Sequence, residues 1–168
     1  MKRLLLALAA VALLVPAAAP AATDVAAVGQ GNGTIKVNNL TCAAPLAVTL
    51  NVRSNVGVVT ENWGPGNPSP LLDCIFMPVF GQYEADNTPV PPVQQCVQGA
   101  GLSTGMPYVL SQSGSTYTFT GSTRLCNGKQ VLDRVSITVQ TTRLVYSHTW
   151  SENGVAIVTV NANIPRLA

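Results

Sequence analysis

With 168 residues, only 10% of them charged, and a formal charge of +2, the chain carries no strongly basic surface of the kind that holds a nucleic-acid backbone. Few charges, abundant Thr, Ser, Asn and Gly, and alternating apolar residues indicate an all-β module rather than a disordered tail, and the length suits one domain.

Met1-Lys2-Arg3 precedes an apolar run from Leu4 to Val15, followed by Pro16 and small residues ending in Ala19-Pro20-Ala21. A positive end, about a dozen apolar residues and small residues before a cut describe a secretory signal peptide. The expected division is residues 1–21 as a cleaved signal peptide, 22–30 as a flexible leader and 31–168 as a single β domain. The apolar run is shorter than the roughly 20 residues a membrane span needs, and no span is expected after cleavage. Loss of Lys2 and Arg3 leaves seven basic against seven acidic residues, so the mature chain is formally neutral. The expected destination is the cell envelope or the exterior, periplasmic or extracellular.

Taken in order, Ala22 to Gln30 shows no periodicity, and Gly31-Asn32-Gly33 reads as a turn before a short strand carrying Ile35 and Val37. Asn38-Asn39 breaks that strand. Leu46, Val48, Leu50 and Val52 alternate with polar or small residues, as in a strand with one buried face. Val56, Val58 and Val59 return against it after a turn at Ser54-Asn55. Residues 62–70 hold Gly64-Pro65-Gly66 and two further prolines, which predict a loop. Residues 73–80 read as an edge or bulged strand around Pro78. Residues 82–95 read as irregular, and Tyr108 to Leu110 as a short strand.

From Ser115 to Ala162 the alternation is clearest and predicts a four-stranded meander. A three-residue loop at Cys126-Asn127-Gly128 sets Phe119 opposite Val135 and Tyr117 opposite Ile137. An even loop around Thr141-Thr142 sets Val139 opposite Leu144. A two-residue turn at Asn153-Gly154 would throw the last two apolar faces out of phase, because one residue of slip flips a strand. A three-residue loop, Glu152-Asn153-Gly154, restores the phase and predicts Trp150 opposite Ala156, His148 opposite Val158 and Tyr146 opposite Val160. The meander and an N-terminal sheet then bury their apolar faces against each other. The expected fold is all-β: a two-sheet antiparallel β-sandwich, Ig-like in the broad sense, with a closed β-barrel as the alternative.

Cys42, Cys74, Cys96 and Cys126 form an even set, which in an exported chain implies two disulfides. The favoured pairing is Cys74–Cys96, tying off the proline-rich segment, with Cys42–Cys126. Spacings of 32, 22 and 30 residues lack the short ligand pair of a zinc site, and no metal or cofactor is expected.

Trp63, in Asn62-Trp63-Gly64-Pro65-Gly66, is the leading binding candidate, since an indole in a Gly/Pro loop can offer its face to a sugar or a partner's apolar side chain. Asn62, Asn67 and Tyr83 join it as binding contacts; a Trp63 that caps the end of the fold is the competing reading. Tyr83, Glu84, Asp86 and Asn87 lack a calcium-loop pattern. His148, the one histidine, has Ser147 and Asp133 near it in the chain or register, but lies on the apolar face and reads as structural. Glu61, Glu84 and Glu152 offer carboxylates for glycoside hydrolysis without singling out a pair. Asn32-Gly33-Thr34 and Asn39-Leu40-Thr41 match the N-glycosylation acceptor.

Gly33-Thr34-Ile35-Lys36-Val37, followed by Cys42, resembles the opening of chaperone–usher pilin subunits, and Gly154 with the residues after it lies near the place of that family's C-terminal strand. The chain departs from the family at Leu167, where a penultimate Tyr is usual, and in having four cysteines. The resemblance implies a subunit role. The leading expectation is an exported, non-catalytic β-sandwich that binds a protein or glycan partner at the cell surface through its Gly/Pro-rich loops. The alternatives are a structural or assembly subunit that self-associates in a surface layer or fibre, and a small secreted hydrolase.

Overall fold

The computed structural model describes residues 21–37, 40–64, 82–86, 96–97, 100–101, 108–124 and 130–168, with side chains for 21–37, 40–64, 108–122 and 130–168. The expected signal peptide, the Asn38-Asn39 break, the strand expected at 73–80 and the Cys126-Asn127-Gly128 loop lie outside the described residues.

Eleven strands follow one another among the described residues: β1 (Val25–Val37), β2 (Leu40–Arg53), β3 (Val56–Trp63), β4 (Gln82–Asp86), β5 (Cys96–Val97), β6 (Ala100–Gly101), β7 (Val109–Ser113), β8 (Thr116–Arg124), β9 (Gln130–Val139), β10 (Arg143–Glu152) and β11 (Val155–Pro165). No helix occurs among the described residues, and so none that is long and apolar enough to cross a membrane. Nine strands make one antiparallel sheet in the order β4-β3-β2-β1-β11-β10-β9-β8-β7, and β5 and β6 pair separately.

The two expected sheets are therefore one. The ladder from Gly33↔Ala162 to Val37↔Val158 joins β1 to β11 and fuses the N-terminal strands with the meander. Their apolar faces still meet, because the sheet curls until its flanks face each other. Gly57 on β3 marks the approach: a Cβ there would lie 2.9 Å from Leu110 Cδ2 on β7 and 2.9 Å from Phe119 Cζ on β8. Curling, rather than stacking, buries Leu46, Leu50, Phe119, Ile137, Leu144 and Ile164.

β1 overturns the expectation of a flexible leader at 22–30 and of a turn at Gly31-Asn32-Gly33. All thirteen residues pair with β2, from Val25↔Val52 to Val37↔Leu40. The inward positions are Ala27, Gly29, Gly31, Gly33 and Ile35, so alternation is present but carried by residues with little or no side chain. Larger neighbours fill the space. At Gly33 a Cβ would fall 2.7 Å from Leu46 Cδ2 and 2.9 Å from Trp63 Cη2. Gly29 and Gly31 accommodate Leu144 and Ile164 in the same way.

The meander registers are Phe119↔Val135, Tyr117↔Ile137 and Leu144↔Val139, as the alternation predicts. The β10–β11 hairpin differs. Its turn has two residues, Asn153 and Gly154, with φ of 50° and 79°, and Glu152 pairs with Val155. Two left-handed residues make a primed turn, whose twist matches the strands. The odd residue is absorbed farther along, where the register shifts between Trp150 and Ser151. The result is Trp150↔Val158, His148↔Val160 and Tyr146↔Ala162, two residues from the expected partners on the correct face. The turn at Ser54-Asn55 is also left-handed at both residues, with φ of 51° and 65°.

Residues 82–86, expected to be irregular, form β4 on the edge beside β3, with Glu61↔Tyr83 and Asn62↔Gln82 in register. β7 supplies the strand expected near Tyr108 to Leu110.

Candidate functional site: a buried carboxylate–histidine network

On β3 the inward residues are Gly57, Val59, Glu61 and Trp63. A glutamate in that series is driven into the interior by strand phase alone, and Glu61 is 2% exposed. Across the interior, β10 directs Leu144, Tyr146, His148 and Trp150 inward, and β9 directs Val131, Asp133, Val135 and Ile137 inward. Curling brings the polar members of these series together.

Glu61 accepts three side-chain hydrogen bonds. Trp63 Nε1 donates to Oε1, the Tyr146 hydroxyl donates to Oε2, and His148 Nδ1 lies 3.0 Å from Oε2. The other imidazole nitrogen, Nε2, is 3.0 Å from Asp133 Oδ1. The Tyr108 hydroxyl donates to Asp133 Oδ2 at 2.6 Å. Trp150 completes the wall, its ring edge-on to the imidazole with centroids 5.5 Å apart. A continuous polar chain thus runs from Trp63 through Glu61, His148 and Asp133 to Tyr108.

Burial alone would lower the His148 pKa, but the hydrogen bonds to Asp133 and Glu61, with the charge of both, outweigh it and raise it to about 9. Burial alone would raise the Glu61 pKa; the His148 hydrogen bond and charge, helped by Tyr146 and Trp63, hold it below the usual carboxylate range. Burial and the Glu61 charge push the Tyr146 hydroxyl well above its ordinary value. At neutral pH the centre is therefore an imidazolium clamped between two carboxyl groups. Both its nitrogens are committed, and it is 3% exposed, which suits fastening better than proton transfer to a substrate.

Trp63 is not a loop platform. It ends β3, is 8% exposed, and lies over Gly33, so the capping reading describes it. Asn62 is exposed on the outer face of β3. Asn67 lies outside the described residues, as does the side chain of Tyr83. Ser147 points outward, away from His148. Asn32 is exposed on the outer face of β1, and Asn39 lies outside the described residues. Cys42 is disulfide-bonded and occupies an inward position opposite Ile35. The side chains of Cys74, Cys96 and Cys126, and with them the pairings Cys74–Cys96 and Cys42–Cys126, lie outside the described residues. No cluster of three or more metal-ligating side chains occurs among the described residues.

Sequence reasoning placed His148 on the inner face and Asp133 near it, but did not connect Glu61 to it. The signal was available: Asp133 stands in phase with Val131 and Val135, and Glu61 in phase with Val59 and Trp63. Comparison of the chain with protein-family models, with curated proteins and with solved structures finds no match.

Proposed function

We propose that the protein is an exported, non-catalytic β scaffold that binds a protein or glycan partner through the Gly/Pro-rich segment 64–70, with Asn62 and Asn67 among its contacts. The observation that carries this reading is where the network ends. Glu61 and Trp63 lock the last turn of backbone before Gly64, and Gly64 N–H donates to Pro45 O at 2.9 Å. The strand therefore ends before Gly64 on a fixed stem, and fixing one end of a binding segment lowers the entropy it loses on binding. Of the ionisable groups a hydrolase would draw on, Glu61, Asp133 and His148 are committed to the buried network.

The test replaces residues 65–70 by a Gly/Ser stretch of equal length. Mature protein and variant are used as bait against the envelope fraction of the producing cell and against immobilised cell-surface glycans. Capture lost with an unchanged unfolding midpoint is the expected result; undiminished capture by the variant overturns the reading.

A second reading, a self-associating surface subunit, is favoured by the outer face. Ser111, Thr118, Ser136, Ser147, Asn161 and Thr34 lie side by side across six adjacent strands, at the roughly 4.8 Å spacing of a sheet. Such an uncharged row has no like-charge repulsion against a second copy. A monodisperse monomer in light scattering at millimolar concentration would overturn it.

A further inference from the structure

Residues 22–24 belong to no strand, yet they are fastened to both flanks of the curled sheet. Ala22 is 8% exposed and part of the core, and its main-chain nitrogen lies 3.1 Å from Asn55 Oδ1 in the β2–β3 turn. Thr23 N–H donates to Gln112 Oε1 on β7 at 2.5 Å, and Thr23 O accepts from the Tyr117 hydroxyl on β8 at 3.1 Å. Asp24 Oδ1 accepts from Ser54 N–H at 2.7 Å. Three residues thus bridge the β2–β3 turn and the β7–β8 hairpin, on the same flanks that meet at Gly57. Ala21, one residue earlier, is exposed.

We propose that the Ala21–Ala22 peptide bond is the processing point and that the α-ammonium group freed at Ala22 is itself a structural ligand, held by Asn55 Oδ1 across the seam of the sheet. This rests on the reading that the N-terminal segment is removed on export. Hydrolysis adds water across the bond: Ala21 leaves with a carboxylate, and Ala22 keeps the nitrogen, protonated. Two independent observations meet at this bond. Small residues at Ala19 and Ala21 precede it, and burial begins immediately after it. A cut one residue later would delete the Ala22 methyl from the core together with the Asn55 contact. A cut one residue earlier would leave a neutral amide facing Asn55, and charge-assisted hydrogen bonds are roughly twice as strong as neutral ones.

The test has two arms. Intact mass and N-terminal sequencing of the exported product of the full-length chain should place its first residue at Ala22; a different first residue overturns the processing point, and an uncleaved product refutes removal of the leader. Separately, a recombinant chain beginning at Ala22 is compared at pH 6 with the same chain N-acetylated. The free-amine form should melt about 2–4 °C higher, and the gap should close above pH 9 as an α-ammonium of ordinary pKa near 8 loses its proton. Asn55→Gly, which keeps the left-handed turn and removes the acceptor, should abolish the gap. Equal melting temperatures for the free and acetylated chains, or a gap that survives Asn55→Gly, overturn the structural role whatever the first arm shows.

Discussion

Glu61→Leu removes the acceptor on which Trp63, Tyr146 and His148 converge. Leucine is close to glutamate in volume, so the loss is mainly electrostatic rather than steric. It leaves a buried imidazolium with Asp133 as its remaining carboxyl partner, and it strands a buried indole N–H and a buried phenolic hydroxyl. Breaking a buried ion pair from one side costs about 3–5 kcal/mol, because the surviving charge stays desolvated. For a domain of this size that corresponds to a fall of roughly 6–20 °C in Tm. Urea unfolding followed by far-UV circular dichroism and tryptophan fluorescence measures it, with an unchanged m-value as the check that the unfolding transition is the same. Glu61→Leu combined with His148→Leu should cost less than the two single losses added together, since the second change removes the stranded charge. A single-variant loss below about 1 kcal/mol, or strict additivity, would refute the claim that the network fastens β3 to β10.

The same network sets a pH profile. Glu61 has a lowered folded-state pKa, so its contribution is present above its unfolded value near 4.5 and is lost as pH falls through the folded value. His148 is raised from 6.5 to about 9, so its contribution is complete below pH 6.5 and is lost as pH rises towards 9. Stability should peak between about pH 4.5 and 6.5, and His148→Leu should flatten the alkaline limb in a pH series of urea midpoints. Gly33→Ala places a methyl against Leu46 and Trp63 and should cost about 1–3 kcal/mol by the same unfolding assay. Gly154→Ala, at φ 79° with open space around it, tests the turn without touching the core and should cost about 1 kcal/mol.

The C-terminal half was legible because its inward residues are large and its outward ones are Thr, Ser and Arg, so that phase can be read directly from Tyr117 to Val139. The β10–β11 hairpin was legible in phase and not in register: parity demands one odd residue between Trp150 and Val158 but does not say whether it sits in the turn or in a bulge. Two left-handed residues at Asn153-Gly154 decide for the bulge. β1 was illegible for a different reason. Three of its five inward positions are glycines whose space is filled by Ile164, Leu46 and Trp63 from other strands, and local composition then imitates a turn. Asp133 could be set near His148 from the sequence, but Glu61 stood as one carboxylate among three with nothing to single it out. Their partners come from other strands, and only the curl of the sheet brings them together.

The ladder between β1 and β11 pairs residues more than 120 positions apart, Gly33 with Ala162, at the centre of the sheet. The middle strand pair cannot form until nearly the whole polypeptide has emerged, and closing so long a loop is slow relative to local hairpins. β7 to β10 can assemble first as nearest-neighbour hairpins, while β1 waits for its second partner. A chain wired in this order keeps its central ladder open through most of its synthesis. It acquires its full cooperativity only when its final strand arrives.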